Sequence, residues 1–370
     1  MTRVLSIHAD YACRHTGVCC SSGWDVPVEP HVEDRLRQAL ADGVLCAARG
    51  TEAPFRAEPG LPHGARAVFR TDDRGRCVFL EAGDRPLCAI HRRLGFDGLA
   101  SACRDFPRVV TLSPLGVSIT LSHYCPTAAG LLFRDDRPVA IENDPPAFPS
   151  SWPYEGLDAR GSVPPLLRPG VLMGWAAHAR WEAHAVATLA REDLSPDEAL
   201  VLLSVQAESA RGWDPEDGVF DDYLERCLEA PSRADAEPAR PDECARAWRA
   251  VAECVPPGHP LPSPAGEGFV DDGWGGLVAP VRRWLAARAF ASWLALQGEG
   301  LRTTVLGLRL SLAVLRAEAA RGRGGARGAD GLREAIRRAD LLLVHLADPE
   351  ALARRLSRAE GLSGDPRHAW

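Results

Sequence analysis

The length, composition and charge of the chain exclude several classes of protein. It has 370 residues, of which 46% are apolar and 25% are charged, a balance typical of globular proteins large enough for two domains. No run approaches the ~20 apolar residues of a membrane helix, because the best candidate, residues 303–315, is interrupted by Arg309. The formal charge of −7, with no pattern of arginines interleaved with exposed aromatics, disfavours nucleic-acid binding.

The start of the chain carries no recognisable targeting signal. Residues 1–12 contain Arg3 and Asp10 and lack the apolar segment and cleavage site of a signal peptide. We therefore expect a cytoplasmic protein. In a reducing compartment the 11 cysteines are expected to stay free for metal binding or catalysis, and not to pair as disulfides.

The first 140 residues are predicted to form a small domain with little regular structure. Residues 31–42 indicate one short helix and residues 97–105 another, which Pro107 ends. Residues 108–123 indicate a hairpin, because apolar residues alternate on both arms of a turn at residues 113–116. A region with so few core-forming residues needs a further source of stability, and a metal site would supply it.

A proline-rich segment separates this region from a helical one. Residues 141–170 hold a cluster of prolines and are predicted to be a linker. Apolar residues then recur at helical spacing over residues 171–191, 196–211, 277–297, 301–321, 330–347 and 349–359. The expected fold class is α+β, with a small cysteine-rich metal-binding N-terminal domain (1–140) and a mostly α-helical C-terminal domain (171–370).

The cysteines are distributed unevenly, and their placement suggests a metal or iron–sulfur site. Seven lie beside turn residues or at predicted element edges in the first 125 residues, and these are the predicted ligands: Cys13, Cys19, Cys20, Cys77, Cys88, Cys103 and Cys125. Thiolates bind Zn²⁺ and the iron of iron–sulfur clusters strongly, and adjacent cysteines in a glycine-containing loop can face one centre. The alternative is that Cys19 and Cys20 are ordinary buried thiols.

The number and identity of the centres are left open by the sequence. Seven cysteines exceed the four that one zinc ion or one [4Fe–4S] cluster takes, so either some do not bind directly or the domain holds two centres. An iron–sulfur cluster is favoured over zinc because no compact pairs of C-x2-C ligands occur. His91 and His123 could also bind metal, although a lone histidine is more often an ordinary surface or core residue.

The order of these motifs resembles a known family. The pieces are Cys13 to Cys20 followed by Gly23-Trp24, then Cys77-Val-Phe-Leu, Cys88-Ala-Ile, Cys103-Arg-Asp-Phe-Pro and Cys125-Pro126. Together they are similar to the YkgJ-type cysteine-cluster family, whose members are described as zinc- or iron-chelating, over about residues 11–126. The Cys-Cys-x-x-Gly-Trp form and the long helical tail are closer to its flagellin lysine-N-methylase branch. Thr16 stands where the family's usual C-x2-C-x2-C-C opening has its second cysteine, so the ligand number is not carried over.

The resemblance implies protein lysine N-methylation, with S-adenosylmethionine as methyl donor and a flagellin-like protein as substrate. The residues show no conventional machinery for it, since no glycine-rich loop follows a predicted strand and no C-x3-C-x2-C radical motif occurs. A lysine-bearing substrate would be attracted to the acidic residues 191–246. Two other hypotheses are a non-enzymatic metal-stabilised module that binds a protein partner, and a redox or metal-handling protein with one reactive thiol.

Overall fold

Ten short strands provide the β-structure of the described part of the chain. The computed structural model describes residues 1–47, 51, 53–58, 61, 64–81, 83, 87–229, 236–257, 273–321 and 328–360. The strands are β1 (Thr2–Leu5), β2 (Pro27–Val28), β3 (Phe55–Ala57), β4 (Ala67–Phe69), β5 (Arg108–Ser113), β6 (Gly116–Leu121), β7 (Ile141–Asn143), β8 (Leu157–Asp158), β9 (Leu166–Arg168) and β10 (Val171–Leu172).

Helices dominate the second half of the chain. They are α1 (Pro30–Ala41), α2 (Ala89–Leu94), α3 (Ser101–Asp105), α4 (Pro126–Leu131), α5 (Trp175–Ala190), α6 (Pro196–Arg211), α7 (Phe220–Glu229), α8 (Pro241–Ala252), α9 (Val278–Ala289), α10 (Leu294–Gln297), α11 (Leu301–Arg321), α12 (Gly328–Asp340) and α13 (Pro349–Glu360). A π-helical turn, Leu341–Leu346, follows α12 directly. The mixed α+β class expected from the sequence is confirmed, and no described helix is long and apolar enough to cross a membrane.

The chain divides into two compact units whose limits differ from the boundaries expected at residues 140 and 171. The first, called here the helical unit, comprises Met1–Tyr11, Val109–Tyr124 and Ala128–Trp370. The second, the cysteine unit, comprises Ala12–Arg108 and Cys125–Thr127. The N-terminal strand belongs with the helices because β1 pairs in parallel with β6 and antiparallel with β7. Sequence periodicity does not reveal such long-range pairing.

A five-stranded sheet, ordered β7-β1-β6-β5-β8, lies in the helical unit. The predicted hairpin over residues 108–123 is confirmed, since β5 and β6 are neighbours joined by a tight turn. Gly116 opens β6 with a φ of 115°, and a Cβ there would lie 2.6 Å from the carbonyl oxygen of Met1. Glycine is therefore required where β1 approaches the hairpin. Residues 141–170, expected to be a linker, contain β7, β8 and β9.

The helical unit has an extensive apolar core centred on α11. This helix is buried along most of its length and packs against α6, α8 and α12. Its buried charges are paired: Arg316 binds Asp197 at 2.6 Å, and Glu318 accepts a hydrogen bond of 2.7 Å from the indole N–H of Trp248. Such pairing satisfies groups that would be costly to bury alone. The helix expected over residues 277–297 is instead divided into α9 and α10, with Ala291 at a φ of 55° between them.

The cysteine unit is built from α1, a three-stranded sheet ordered β2-β4-β3, and the short helices α2 and α3. Its described core is small, and its largest members are the rings of Phe55, Phe69 and Phe79, whose centroids lie 5.5–6.2 Å apart. Helix α1 contributes Val32 and Leu36 to this core from one face, at the spacing of an amphipathic helix. The rest of the unit consists largely of loops that carry the cysteines.

Candidate metal centre and a buried histidine–aspartate network

Five of the predicted ligands come together from four separate segments of the cysteine unit. Cys19 and Cys20 lie in a single 3-10 turn, which follows Gly17 in a left-handed conformation. Cys77 follows a turn and forms an isolated antiparallel bridge with Thr71, Cys88 is the N-cap residue of α2, and Cys103 lies in α3. Cys77 and Cys88 therefore project from a loop and an element end, as the motif pattern predicts, whereas Cys103 projects from the middle of the short helix α3.

Backbone contacts hold these segments against one another. The N–H of Cys77 donates a 2.7 Å hydrogen bond to the carbonyl of Cys20, which joins the first two segments. Leu80 forms an antiparallel bridge with Cys88, which brings the third segment alongside the second. The Sγ atoms of Cys19 and Cys20 are 4.0 Å apart, and the thiol of Cys20 also hydrogen-bonds with that of Cys88.

The thiols of the cluster have unequal acidities. Hydrogen bonding by Cys20 lowers the pKa of Cys88 to about 7, with help from the backbone N–H groups of Ile90 and His91. The same donor lowers the pKa of Cys19, whereas the pKa of Cys20 itself is raised because its proton is shared with both neighbours. Burial raises the pKa of Cys77 to about 12. Cys19 and Cys88 are therefore the more acidic thiols of the cluster, and Cys88 ionises near neutral pH.

Burial and the neighbouring thiols Cys88, Cys77 and Cys19 also raise the pKa of Cys103, in that order of importance. A carboxylate lies close by, since Glu29 acts electrostatically on Cys103 and accepts a 3.1 Å hydrogen bond from the N–H of Ser101 at the start of α3. Glu29 is buried, and its hydrogen bond satisfies an N–H group that the first turn of the helix leaves unpaired.

The two other predicted ligands occupy different settings. Cys13 is exposed, and its sulfur accepts a 3.4 Å hydrogen bond from the backbone N–H of His15. Cys125 is buried within the short segment that returns to the cysteine unit. The 11 cysteines, which all lie in the part of the chain that the structure describes, form no disulfide with one another that would compete with metal binding. Cys46 is exposed, whereas Cys244 and Cys254 are buried in the core of the helical unit.

The donor set suits a thiophilic metal, although the side chains do not form a finished coordination shell. Within the described ranges, no group of three or more His, Cys, Asp or Glu side chains is arranged to hold a metal ion. Two thiolates bound to one tetrahedral zinc at 2.3 Å would be about 3.8 Å apart. The 4.0 Å between the sulfurs of Cys19 and Cys20 is close to that spacing. Metal binding would therefore require the remaining thiols to turn toward this pair.

A second buried polar cluster lies in the helical unit. Asp340, at the end of α12, accepts hydrogen bonds through Oδ2 from the backbone N–H of His123 at 2.5 Å and from its Nδ1 at 3.1 Å. Its Oδ1 accepts a 2.9 Å hydrogen bond from the indole N–H of Trp284. The Nε2 atom of His123 lies 3.1 Å from Nε2 of His8. The segments that follow β1 and β6, together with α9 and α12, thus position a continuous chain of hydrogen bonds.

The hydrogen bonds determine the tautomers in this chain. Because a carboxylate only accepts, His123 donates from Nδ1, so its Nε2 is left to accept from Nε2–H of His8. Nδ1 of His8 is then a bare acceptor, and it is buried with no hydrogen-bond partner in the part of the chain that the structure describes. The network consequently ends at one unsatisfied imidazole nitrogen.

Burial favours the neutral forms of His8 and His345. It is the main cause that lowers the pKa of His8, with a further contribution from His123. It also lowers the pKa of His345, in the π-helical turn, to about 4, and the Nε2 atom of that residue lies 2.7 Å from Oγ of Ser122. Burial alone would raise the pKa of Asp340, but the hydrogen bonds from His123 and the charge of Arg288 hold it below its ordinary value.

Sequence reasoning missed most of this network. It considered His123 only as a lone histidine and gave no role to His8, Asp340, Arg288 or His345. One signal was present, because Asp340 interrupts the apolar face of the helix predicted over residues 330–347, where an unpaired charge would be costly. The π-helical turn beside it is a form that occurs frequently at functional sites.

Comparison with known proteins does not assign this chain to a family. No family model, no curated protein and no solved structure matches it.

Proposed function

We propose that the cysteine unit binds a metal centre through Cys19, Cys20, Cys77, Cys88 and Cys103, with an iron–sulfur cluster as the expected occupant and zinc as the alternative. The observation that carries this proposal is the convergence of five free thiols from four chain segments. Thiols that served only as small apolar residues would have no reason to gather at one point, whereas thiolate ligands of one centre must do so.

The small core of the cysteine unit gives a physical reason for such a centre. Its described apolar residues come mainly from α1 and two phenylalanine-bearing strands, and the rest come from β2, α2 and short loops. Structural zinc contributes about 10–16 kcal/mol in small metal-binding domains, which is comparable with the whole stability of a typical domain. Cross-linking the four cysteine-bearing segments through one centre would therefore be a major source of stability for this unit.

The remaining cysteines of the predicted set have less defined parts in this proposal. When bound, an iron–sulfur cluster would supply either a structural cross-link or an electron-transfer centre. The five thiols of the cluster suffice for one such centre, which takes four ligands. Cys13, which is exposed, and Cys125, which is buried, stay predicted ligands, and metal analysis of their serine variants tests their contribution.

The test is the metal content of protein purified without oxygen. Iron and acid-labile sulfide with broad visible absorption would support an iron–sulfur cluster, and stoichiometric zinc would support the alternative. Serine variants of Cys20 and Cys88 should lose the metal, whereas the Cys46→Ser variant, which alters an exposed cysteine of the same unit, should retain it. Folded wild-type protein that holds neither metal would refute the proposal.

A second candidate function is protein lysine N-methylation with S-adenosylmethionine, supported by the motif resemblance and by the hydrogen-bonded chain that ends at His8. A lysine ammonium must lose a proton before it can accept a methyl group. The hydrogen-bonded series Asp340, His123 and His8 resembles a proton relay, in which a carboxylate orients a histidine that accepts a proton.

Labelled S-adenosylmethionine with flagellin, or with lysate of the source organism, tests this second candidate. Label on lysine would support methylation, and the His8→Asn variant should then show slower transfer with unchanged metal content. Metal-loaded protein that neither binds S-adenosylmethionine nor transfers label would leave the metal-stabilised interaction module as the better description.

A further inference from the structure

Two histidines of the cysteine unit lie close together beside the thiol cluster. The ring centroids of His15 and His91 are 4.8 Å apart, and the ring planes are tilted by 52°. His15 lies in the loop that leads to Cys19 and Cys20, and His91 is the third residue of α2, which begins after Cys88. The two rings therefore join the same two segments that carry the hydrogen-bonded thiols.

The spacing of the rings suits two imidazoles that bind one ion. With metal–nitrogen bonds of 2.0–2.1 Å and a tetrahedral angle, the centres of two imidazole rings on one zinc ion lie about 5 Å apart. His15 is exposed and His91 is partly exposed, so water can fill the remaining coordination positions. This differs from the partly buried thiol cluster, whose sulfurs would enclose their metal.

His15 is held in an unusual backbone conformation. Its φ of 52° lies in the left-handed region, which costs a non-glycine residue energy. In this conformation its backbone N–H points to the sulfur of Cys13, and its ring is directed toward His91. The backbone N–H of His91 in turn hydrogen-bonds with the sulfur of Cys88. Each histidine is thus linked through its own backbone to a cysteine.

We propose that His15 and His91 form a solvent-accessible site for one divalent first-row transition-metal ion, from which the metal is passed to the neighbouring thiols. Imidazole is a good ligand for Zn²⁺ and Ni²⁺, and an open site exchanges ions faster than one closed by four protein ligands. The transfer role rests on the proposed metal-binding function of the cysteines, but the two-histidine site itself does not.

The first experiment measures Ni²⁺ binding to the protein as purified, by calorimetry and by absorption. We expect one ion per chain, bound without sulfur-to-metal charge transfer. Either His15→Ala or His91→Ala should weaken binding by at least about 10-fold, since even loss of a residue that only supports a metal ligand costs that much. His31→Ala, which removes an exposed histidine of α1, should leave the affinity unchanged. Equal affinity in all four proteins, or a nickel–sulfur absorption band, would overturn the site.

The second experiment measures how fast Zn²⁺ reaches the thiols of metal-stripped, reduced protein, followed by the loss of thiols that react with a disulfide reagent. The His15→Ala variant should load several-fold more slowly and reach the same final zinc content. Equal loading rates would overturn the transfer role. If the wild type takes no zinc into its thiols, the proposed function fails, while the Ni²⁺ experiment still decides whether the two-histidine site exists.

Discussion

The two units bury their polar groups in different ways. In the helical unit, Asp340 accepts from His123 and from Trp284, so a carboxylate meets donors and no further ion is needed to balance it. In the cysteine unit, the partners of Cys20 are the thiols of Cys19 and Cys88, and a thiol is a weak donor and a weak acceptor. The first cluster is largely completed by its own residues. The second cluster consists of equivalent thiols, which binding of a shared metal cation would stabilise most.

The cores of the two units show the same difference. Among the described residues, the helical unit buries large side chains such as Trp284 and Phe290 along several long helices, whereas the cysteine unit relies on a few residues around Phe79. Apolar burial contributes about 25 cal/mol per Å², so a small core leaves little margin after the loss of chain entropy. We therefore expect the cysteine unit to depend on its ligands and the helical unit on its packing.

The largest effect is expected when a central thiol is removed. Cys88→Ser should release the metal and unfold the cysteine unit, because a structural metal site can supply about 10 kcal/mol or more. The measurement is metal content together with limited proteolysis within residues 12–108. Cys46→Ser is the matched control. If Cys88→Ser protein retained its metal and its protease resistance, the two units would not differ in the way described.

The next largest effect is expected at Asp340. Asp340→Ala leaves His123 and Trp284 with buried, unpaired donors and removes the negative charge that interacts with Arg288. Removal of one partner from such a buried charged pair costs about 3–5 kcal/mol. The free energy of unfolding, measured by urea titration of the helical signal, should fall by that amount while metal content stays unchanged.

The matched control for Asp340 is Asp330→Ala on the same helix. The side chain of Asp330 is 78% exposed and pairs with Arg333, so its loss should cost less than about 1 kcal/mol. Equal decreases in the free energy of unfolding of the two variants, or loss of metal with Asp340→Ala, would contradict the inference that the Asp340 network and the thiol cluster are stabilised independently.

Acid should weaken the helical unit through its neutral histidines. The pKa of His8 is lowered by burial, and that of His345 is lowered to about 4, whereas an unfolded histidine titrates near pH 6.5. Between these values the unfolded chain binds more protons, so stability that is fully present above about pH 6.5 is lost as the pH falls toward 4. For His345 alone the loss should be roughly 2–3 kcal/mol by pH 4.5.

Urea titrations at a series of pH values would measure this dependence. His345→Asn retains a polar group near Ser122 and removes one titrating site, so its stability should fall less steeply between pH 6.5 and 4.5. A variant whose stability has the same slope as the wild type would exclude His345 as a source of the acid sensitivity.

Local features of the fold were predictable, whereas its long-range contacts were not. The helices expected over residues 196–211 and 301–321 are observed with the same bounds, and the hairpin over residues 108–123 is confirmed. Periodicity, caps and turns are encoded within a few residues of one another. The parallel pairing of β1 with β6 and the short strands within residues 141–170 depend on partners far away in the sequence, which local sequence patterns do not reveal.

The same contrast between local features and long-range contacts applies to the candidate site. The gathering of Cys19, Cys20, Cys77, Cys88 and Cys103 follows the motif pattern, although metal binding itself stays a prediction. The network around Asp340 joins His123 across 217 residues and His8 to His123 across 115. No local motif marks such a constellation, because the three residues share neither a loop nor a helical face.

The smallest effect is expected at the start of α6. Ser195 is the N-cap residue, and its Oγ accepts from the N–H of Glu198 at 3.2 Å while the Glu198 carboxylate accepts from the N–H of Ser195 at 2.7 Å. Ser195→Ala removes one half of this capping box and should lower the free energy of unfolding by about 1 kcal/mol. The metal content should not change, because α6 belongs to the helical unit. Because the expected loss of stability is small, Ser195→Ala is a reference for the other variants. A decrease in its metal content would mean that the cysteine unit responds to any loss of stability in the helical unit. The metal losses predicted for the cysteine variants would then not be evidence that those cysteines bind the metal.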